Sequence, residues 1–341
     1  MTKSIWTLAF LCIASFFFTF NSPNMGNILG QSNSVPTSSY SSSKVVMGYS
    51  SWSGWWLWEI AKEEKLFEKN GVEVELKWFD NYSDSLVALA SGYLDANCQT
   101  LNDTIAQVDS AIKGEVVVLV NDNSAGNDKI IVSEDINTVR DLKNRRIALE
   151  EGVVDDFLLT LALEKEGMSR DDVEIINMET GAAAAAFATG KVEAVGAFPP
   201  FWLTALEREG SKELISSKDF PGAIPDLLVV TEKLIDENPE SVKGLVDTWF
   251  DILDFMAKNP EKANEIIARR ANVTVEELGL FQEGVKLFDL EDNIEAFAPG
   301  NNMKHLNYAS KRISKFLKSN LKNLEKTPDF KKLLNSRFIE K

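Results

Sequence analysis

The chain has 341 residues, 44% of them hydrophobic and 26% charged, a composition that fits a globular protein of two domains or one large lobed unit. Its formal charge of −16 argues against a nucleic-acid partner, whose phosphates demand a basic face. The only cysteines are Cys12 and Cys98, one of them in the leader, so neither an internal disulfide nor a cysteine-built zinc site is expected in the folded part.

The chain opens with Lys3 followed by a charge-free apolar run from Ile5 to Phe20, which reads as a secretory signal or short membrane anchor over residues 1–21. The run is short for a spanning helix, which takes about 20 apolar residues. The stretch LAFLC offers Cys12 as a lipidation site, although Phe10 and Leu11 stand where small residues are wanted. Residues 22–44, rich in Ser, Asn, Gly and Pro, form a flexible tether. Lys3 and Lys44 are the only charges up to this point, so the body that begins near Val45 carries all the acidity.

From Val45 short β-rich runs alternate with helical patterns, the signature of βα units. VVMGY predicts a strand, WLWEIAKEEKLFEKNG an amphipathic helix stopped by Gly71, VEVELKWF a second strand, and DSLVALASG a helix. LDANCQ is a third strand, TLNDTIAQVDSAIKG a helix capped by Thr100 or Asn102, and EVVVLVND a fourth strand. A second series starts at Lys129: strands KIIVS, RRIALE, VEIINM and EAVGAF, with helices at TVRDLKN, VVDDFLLTLALEKEG and GAAAAAFATG. PDLLVVTEKLI reads as strand again, and from Pro239 onward the pattern is almost entirely helical. No fixed-period repeat appears.

A nucleophile needs an activating base, and the one histidine, His305, lies in a polar stretch of the helical tail, where it reads as a surface residue. No nucleophile elbow, Walker loop, dinucleotide fingerprint or zinc motif is present. The chain is therefore expected not to be an enzyme and to carry no cofactor.

Four segments in order, GYSSWSGWWLWEIAKEEKLFEKNGVEVEL, SLVALASGYLDANCQTLND, DKIIVSEDINTVRDLKNRRIALEEGVVDDFLL and ETGAAAAAFATGKVEAVGAFPPF, resemble the substrate-binding proteins of bacterial ABC importers, in the branch for nitrate, sulfonates, taurine and thiamine precursors. The resemblance runs from about Val45 to Val230 and implies an α/β, two-lobed type II periplasmic-binding-protein fold with a helical C-terminal extension. On that pattern residues 45–132 plus 223–341 build lobe 1 and residues 133–222 lobe 2, with the C-terminal helices buttressing lobe 1. It further implies a periplasmic or extracytoplasmic monomer, tethered or free, with a small-molecule ligand and the permease and ATPase subunits as partners. Two rivals stay open: an enzyme resembling those of thiamine-pyrimidine biosynthesis, which would need histidine and cysteine chemistry that His305 and Cys98 do not readily supply, and a sensory ligand-binding module.

In such a fold ligands sit beyond the carboxyl ends of the strands. Four loops then become candidate cleft walls. The first holds Trp52, Trp55, Trp56 and Trp58; Trp52 and Trp55, in the turn itself, are candidate ligand contacts, whereas Trp58 reads as core. The second, QTLND, supplies Gln99, Thr100, Asn102 and Asp103, which equally well cap a helix. The third, LEEGVVDDFLL, presents Glu150, Glu151, Asp155 and Asp156 where sulfonate and nitrate binders need hydrogen-bond donors or an arginine, and no Lys or Arg occurs in these loops. The fourth, GAFPPFW, offers Phe198, Pro199 and Phe201 as an apolar wall, and Asp226 on the return crossover adds a carboxylate. Glu151, Asp155 and Asp103 beside Trp52 and Trp55 match a small nitrogenous cation of guanidinium type, which stacks on indole while pairing with carboxylates. A sulfonate, taurine or nitrate ligand is the alternative, and the acids would then simply decorate a helix start.

Overall fold

The computed structural model describes residues 44–321, 324 and 326–340. The leader over 1–21, nearly all of the 22–44 tether, and the lipidation site at Cys12 lie outside the described residues. Among the described residues no helix is long and apolar enough to cross a membrane.

The strands are, in chain order, β1 Val45–Tyr49, β2 Val74–Trp78, β3 Ala96–Thr100, β4 Val116–Ser124, β5 Lys129–Val132, β6 Arg146–Leu149, β7 Glu174–Asn177, β8 Ala194–Ala197, β9 Lys212–Ser216, β10 Pro225–Val230 and β11 Val285–Leu287. They form two sheets, ordered β11-β4-β10-β3-β1-β2 and β7-β6-β8-β5-β9. In the first, β1 runs parallel to β2 and β3, and β10 returns antiparallel between β3 and β4. Strands β3 and β10 are buried along their whole length and most of β4 is too, which is why ANCQT, VVVLVNDNS and PDLLVV lack a clean polar face.

The chain crosses between the sheets twice, from β4 to β5 and from β9 to β10. The second sheet begins earlier than the 133–222 expected for lobe 2. Lys129–Val132, assigned by the sequence to lobe 1, pairs antiparallel with β8 and β9, placing Ile130 opposite Gly196 and Ile215. A four-residue apolar strand carries no mark of which sheet it joins, and only its register decides. Strand β9, KELIS, and the short β11 inside the helical tail were not expected from the sequence; β9 alternates weakly and β11 has three residues. The first long helix is also broken, with Lys65 at φ 57° between helices Trp58–Glu63 and Leu66–Lys69.

The helix Pro239–Lys258 starts with Asn238 accepting from Ser241 N and with proline at its first position. It buries Val242, Leu245, Val246, Trp249 and Ile252, spaced for one helix face, against the first lobe. There Trp58 stacks on Phe67, with ring centroids 5.9 Å apart, and tilts against Trp249 at 5.5 Å. The extension does not serve lobe 1 alone. Helix Leu306–Phe316 packs on helix Leu101–Gln107 of the first lobe, while its last residue, Phe316, meets Phe157 of the second edge-on at 5.2 Å.

Candidate functional site

Strand pairing brings three polar side chains together at the carboxyl end of the first sheet: Asp226 lies in register with Thr100 on one side and Asp122 on the other. Asp122 and Asp226 are adjacent buried carboxyls on paired strands. Burial drives both carboxyls up, Asp122 to about 7, and the neighbouring Asp122 charge raises Asp226 further, so that of the two Asp226 is the one that favours the protonated form. Trp52 Nε1 donates to Asp122 Oδ1 at 3.0 Å, with the indole 3% exposed. Gly54 is needed two residues later because a Cβ there would stand 1.9 Å from Asp122 Oδ2. The Ser- and Gly-containing turn after β1 is thus shaped around a carboxylate.

The tryptophans divide as their positions on the turn dictate. Trp52 lies 6.2 Å from Trp55, and Trp55 lies 5.4 Å from Tyr82, whose hydroxyl donates to Asp103. Trp56 instead packs on Phe281 and Trp58 on Phe67, both within the core.

In the second loop, Thr100 caps helix Leu101–Gln107 by accepting from Asp103 N and also donates to Asp103 Oδ2 at 2.7 Å. Tyr82 and Asn102 add bonds of 2.8 Å each, so Asp103 is fully engaged, and burial still lifts it to about 7. Gln99, expected to face the ligand, spends its amide on Asn97, Thr104 and Glu115. It points to the other side of β3 because successive strand residues alternate.

From the second lobe, Asp155 opens helix Val154–Lys165 with both carboxylate oxygens buried and unpartnered. Thr180 lies close enough to pull its pKa down a little, but the hydroxyl is out of hydrogen-bond geometry. Burial pushes Asp155 well above the ordinary range, reinforced by Asp128, Glu150 and Asp103. Gly196 of β8 makes room, since a Cβ there would meet Asp155 Cβ at 2.8 Å. Asp156, about 100° further round the helix, turns away and binds Arg170 at 2.8 and 2.9 Å. Glu151 is also turned outward: its side chain is 53% exposed and paired with Arg170 at 3.0 Å, which removes it from the expected ligand set. Glu150 faces in, accepting from Ser83 Oγ of the first lobe at 2.6 Å and from Thr180 N at 3.2 Å. Phe198, 5% exposed, packs edge-on against Phe201 at 5.6 Å. Phe201, with Trp78, Asp80, Glu179 and Ser51, lines a cavity of about 480 Å³ that both lobes wall.

Two acids escaped the sequence reading. Asp122, at the end of β4, and Asp128, in the first crossover, are fully buried, and burial lifts Asp128 to about 6. The signal for Asp122 was available: an acid closing the apolar run EVVVLVND stands at a strand end, as QTLND does. Asp128 had no such mark. Asp122, Asp128 and Asp226 each keep one buried oxygen without a partner. Among the described residues, no Lys, Arg or His forms an ion pair with Asp103, Asp122, Asp128, Asp155 or Asp226, and no group of three or more His, Cys, Asp or Glu is arranged to hold a metal ion. His305 bonds through Nδ1 to the carbonyls of Glu295 and Ala298, a structural tie at a helix start.

Asp103 is met by three neutral donors and the Lys129 charge eases Asp128, whereas the unpartnered oxygens of Asp155, Asp122 and Asp226 favour protonation or a cation, since an unpaired buried charge costs several kcal/mol. Chemically the arrangement offers acceptors to a positive, N–H-bearing guest, with indole faces beside them.

Residues 59–263 match the NMT1/THI5-like family. A protein of Brucella abortus whose name describes it as a binding protein is 32% identical over 214 residues, covering 62% of this chain; the chain spans 66% of that relative's length. The taurine-binding periplasmic protein of Escherichia coli is 25% identical over 294 residues, 83% of this chain and 89% of that one. In structure the chain is similar to the periplasmic aliphatic sulphonate binding protein of Escherichia coli, with a TM-score of 0.69, 20% identity, and coverage of 86% and 92%. The fold is therefore the two-lobed periplasmic-binding-protein fold.

Proposed function

The chain belongs to the NMT1/THI5-like family, and from that premise we propose that it is the extracytoplasmic solute-binding component of an ABC importer, a receptor and not an enzyme. It captures a small cationic, nitrogen-rich ligand between its lobes and presents the closed form to permease and ATPase subunits. Supporting the receptor role are the binding-protein names of its relatives and the bonds that cross between its lobes, Ser83 to Glu150 and Ser51 Oγ to the Pro199 carbonyl.

One observation carries the ligand's charge. Asp155 from one lobe and the Asp122–Asp226 pair from the other keep buried, unpartnered oxygens, and no basic side chain answers them among the described residues. An oxyanion placed there would meet carboxylates where it needs donors. A guanidinium or ammonium group satisfies the same oxygens.

A second reading, in which the ligand is taurine or an alkanesulfonate, rests on the names of the relatives. On that reading the raised carboxyls would be neutral and donate to the sulfonate. Thermal-shift titration with guanidine, agmatine, choline, taurine, nitrate and an alkanesulfonate separates the two, because a ligand bound only by the folded state raises its melting temperature by mass action. Stabilisation by guanidine or agmatine alone is the expected result. Stabilisation by taurine or the alkanesulfonate alone replaces the cationic reading with the second one.

A further inference from the structure

Charge is distributed unevenly along the chain. Residues 305–341 hold ten Lys and Arg against Glu325, Asp329 and Glu340, a net of +7, which with the total of −16 leaves −23 on residues 1–304. The structure gathers part of this excess on one helix face. Helix Leu306–Phe316 buries Leu306, Ala309 and Ile313, while Lys311, Arg312 and Lys315 stand exposed on its other side, followed by exposed Lys318 in the helical continuation Leu317–Leu321. Among the described residues none of these four cations forms an ion pair, whereas Lys286 and Lys304 are paired with Asp292 and Glu295.

An apolar recess adjoins the basic stripe. Between this helix and helix Val154–Lys165 of the second lobe lies a cavity of about 240 Å³, lined by Phe157, Leu161, Phe220 and Phe316, with exposed Arg312 among its walls. Leu161, Phe220 and Phe316 are only half-buried, and Glu164, the one acid of the lining, does not pair with Arg312. A row of unpaired cations beside partly uncovered apolar groups is complementary to a surface that is anionic outside and apolar beneath. A soluble inorganic anion would leave the apolar part unused. The acids of the body do not cancel the attraction, because at physiological ionic strength charges are screened beyond about 8 Å.

We infer that this face docks on a membrane containing anionic phospholipid, with Lys311, Lys315 and Lys318 against headgroup phosphates and the recess beside Arg312 meeting the acyl boundary. The helix touches both lobes, through helix Leu101–Gln107 and through Phe157, so the docking face is anchored on each. Docking of this kind does not depend on which ligand the gap holds.

The test is co-sedimentation of the full chain with vesicles of phosphatidylcholine alone and of phosphatidylcholine with about one third phosphatidylglycerol, at low and at physiological salt. The apolar stretch Ile5–Phe20 is present in every arm, so the comparison of the two vesicle types isolates the charge. The expected result is binding about tenfold or more tighter to the anionic vesicles, weakened by salt, and a loss of that preference in the triple variant Lys311→Gln, Lys315→Gln, Lys318→Gln. A second triple, Lys331→Gln, Lys332→Gln, Arg337→Gln, removes the same charge from exposed positions on the segment that packs against β4 and should keep the preference. Thermal melts confirm that both variants, altered only at exposed side chains, are folded. Equal binding to the two vesicle types, or an equal loss in both triples, overturns the docking face.

Discussion

Ser83 Oγ donates to Glu150 Oε2 at 2.6 Å, and the bond joins a helix of the first lobe to the end of a strand in the second. Glu150 keeps Thr180 N as a partner on its own lobe, so the Ser83 bond can break without stranding a bare carboxylate. It is one of the contacts that opening must break. A charge-assisted bond contributes about 1.5–3 kcal/mol. Ser83→Ala is therefore expected to weaken agmatine binding about tenfold or more, chiefly through faster dissociation, with the melting temperature of the free protein little changed; stopped-flow dissociation rates check this.

Gly54 has φ −74° and ψ −28°, values that alanine adopts readily, so Gly54→Ala acts through collision alone. The added methyl lands 1.9 Å from Asp122 Oδ2 and must displace that carboxylate. Overpacking of this kind costs about 1–3 kcal/mol, and ligand binding should fall more than tenfold, as read by calorimetry on the folded variant.

The tryptophans of the first loop should separate by role. Trp58→Ala leaves a cavity among Phe67 and Trp249 and is expected to destabilise the fold by about 3–5 kcal/mol. Trp52→Phe removes the N–H donor from buried Asp122, costing about 1–3 kcal/mol, and in addition weakens binding. Urea unfolding together with agmatine titration distinguishes the two variants.

Stability should fall as pH rises through the acids' range. Burial raises Asp103 and Asp122 from 3.8 to about 7, Asp128 from 3.8 to about 6 and Glu115 from 4.5 to about 7. Between their unfolded and folded values the native state holds more protons than the unfolded chain, so each group destabilises the fold progressively as pH rises through that window. Glu213 works the other way. Burial pushes it up, but Lys129 and Lys218 hold it down at about 2, so its contribution is lost as pH falls below about 4.5. The urea midpoint of the free protein is expected to be highest near pH 4.5–5 and lower at pH 7.5. Asp155→Asn should raise it at pH 7.5 and leave it nearly unchanged at pH 4.5.

Arg170 bonds Asp156, which is fully buried, as well as exposed Glu151. Arg170→Ala leaves Asp156 buried with only the Gly152 N–H and the Thr160 hydroxyl to offset its charge, and breaking such a pair costs about 3–5 kcal/mol. Glu151→Gln should change neither stability nor agmatine affinity beyond about twofold, since Glu151 is itself half-exposed and its pairing with Arg170 lies at the surface. A thermal melt and a calorimetric titration of both variants check these outcomes.

The strand ends were legible in the sequence because apolar runs closed by polar or acidic residues mark where a sheet stops: QTLND, the Trp-rich turn and LEEGVVDD all lie where expected. Which acid of a neighbouring pair faces inward was not legible. Glu150 and Glu151, or Asp155 and Asp156, are indistinguishable as residue types. Their directions are set by the pleat or the helical turn, and by Arg170 arriving from fourteen residues downstream in the chain to claim Asp156.

Composition, the alternation of short strands with helices and the placing of indoles in the first loop are local properties, and the sequence by itself determined the α/β class, the lack of basic residues in the candidate loops and the core role of Trp58. Tertiary structure alone decided that Lys129–Val132 joins the second sheet, that Gln99 turns away while Asp122 and Asp128 are buried, and that Asp122 and Asp226 stand side by side. The reason is physical: a carboxylate's protonation and partners depend on which groups surround it after strands over a hundred residues apart have paired, and that information resides in register and burial.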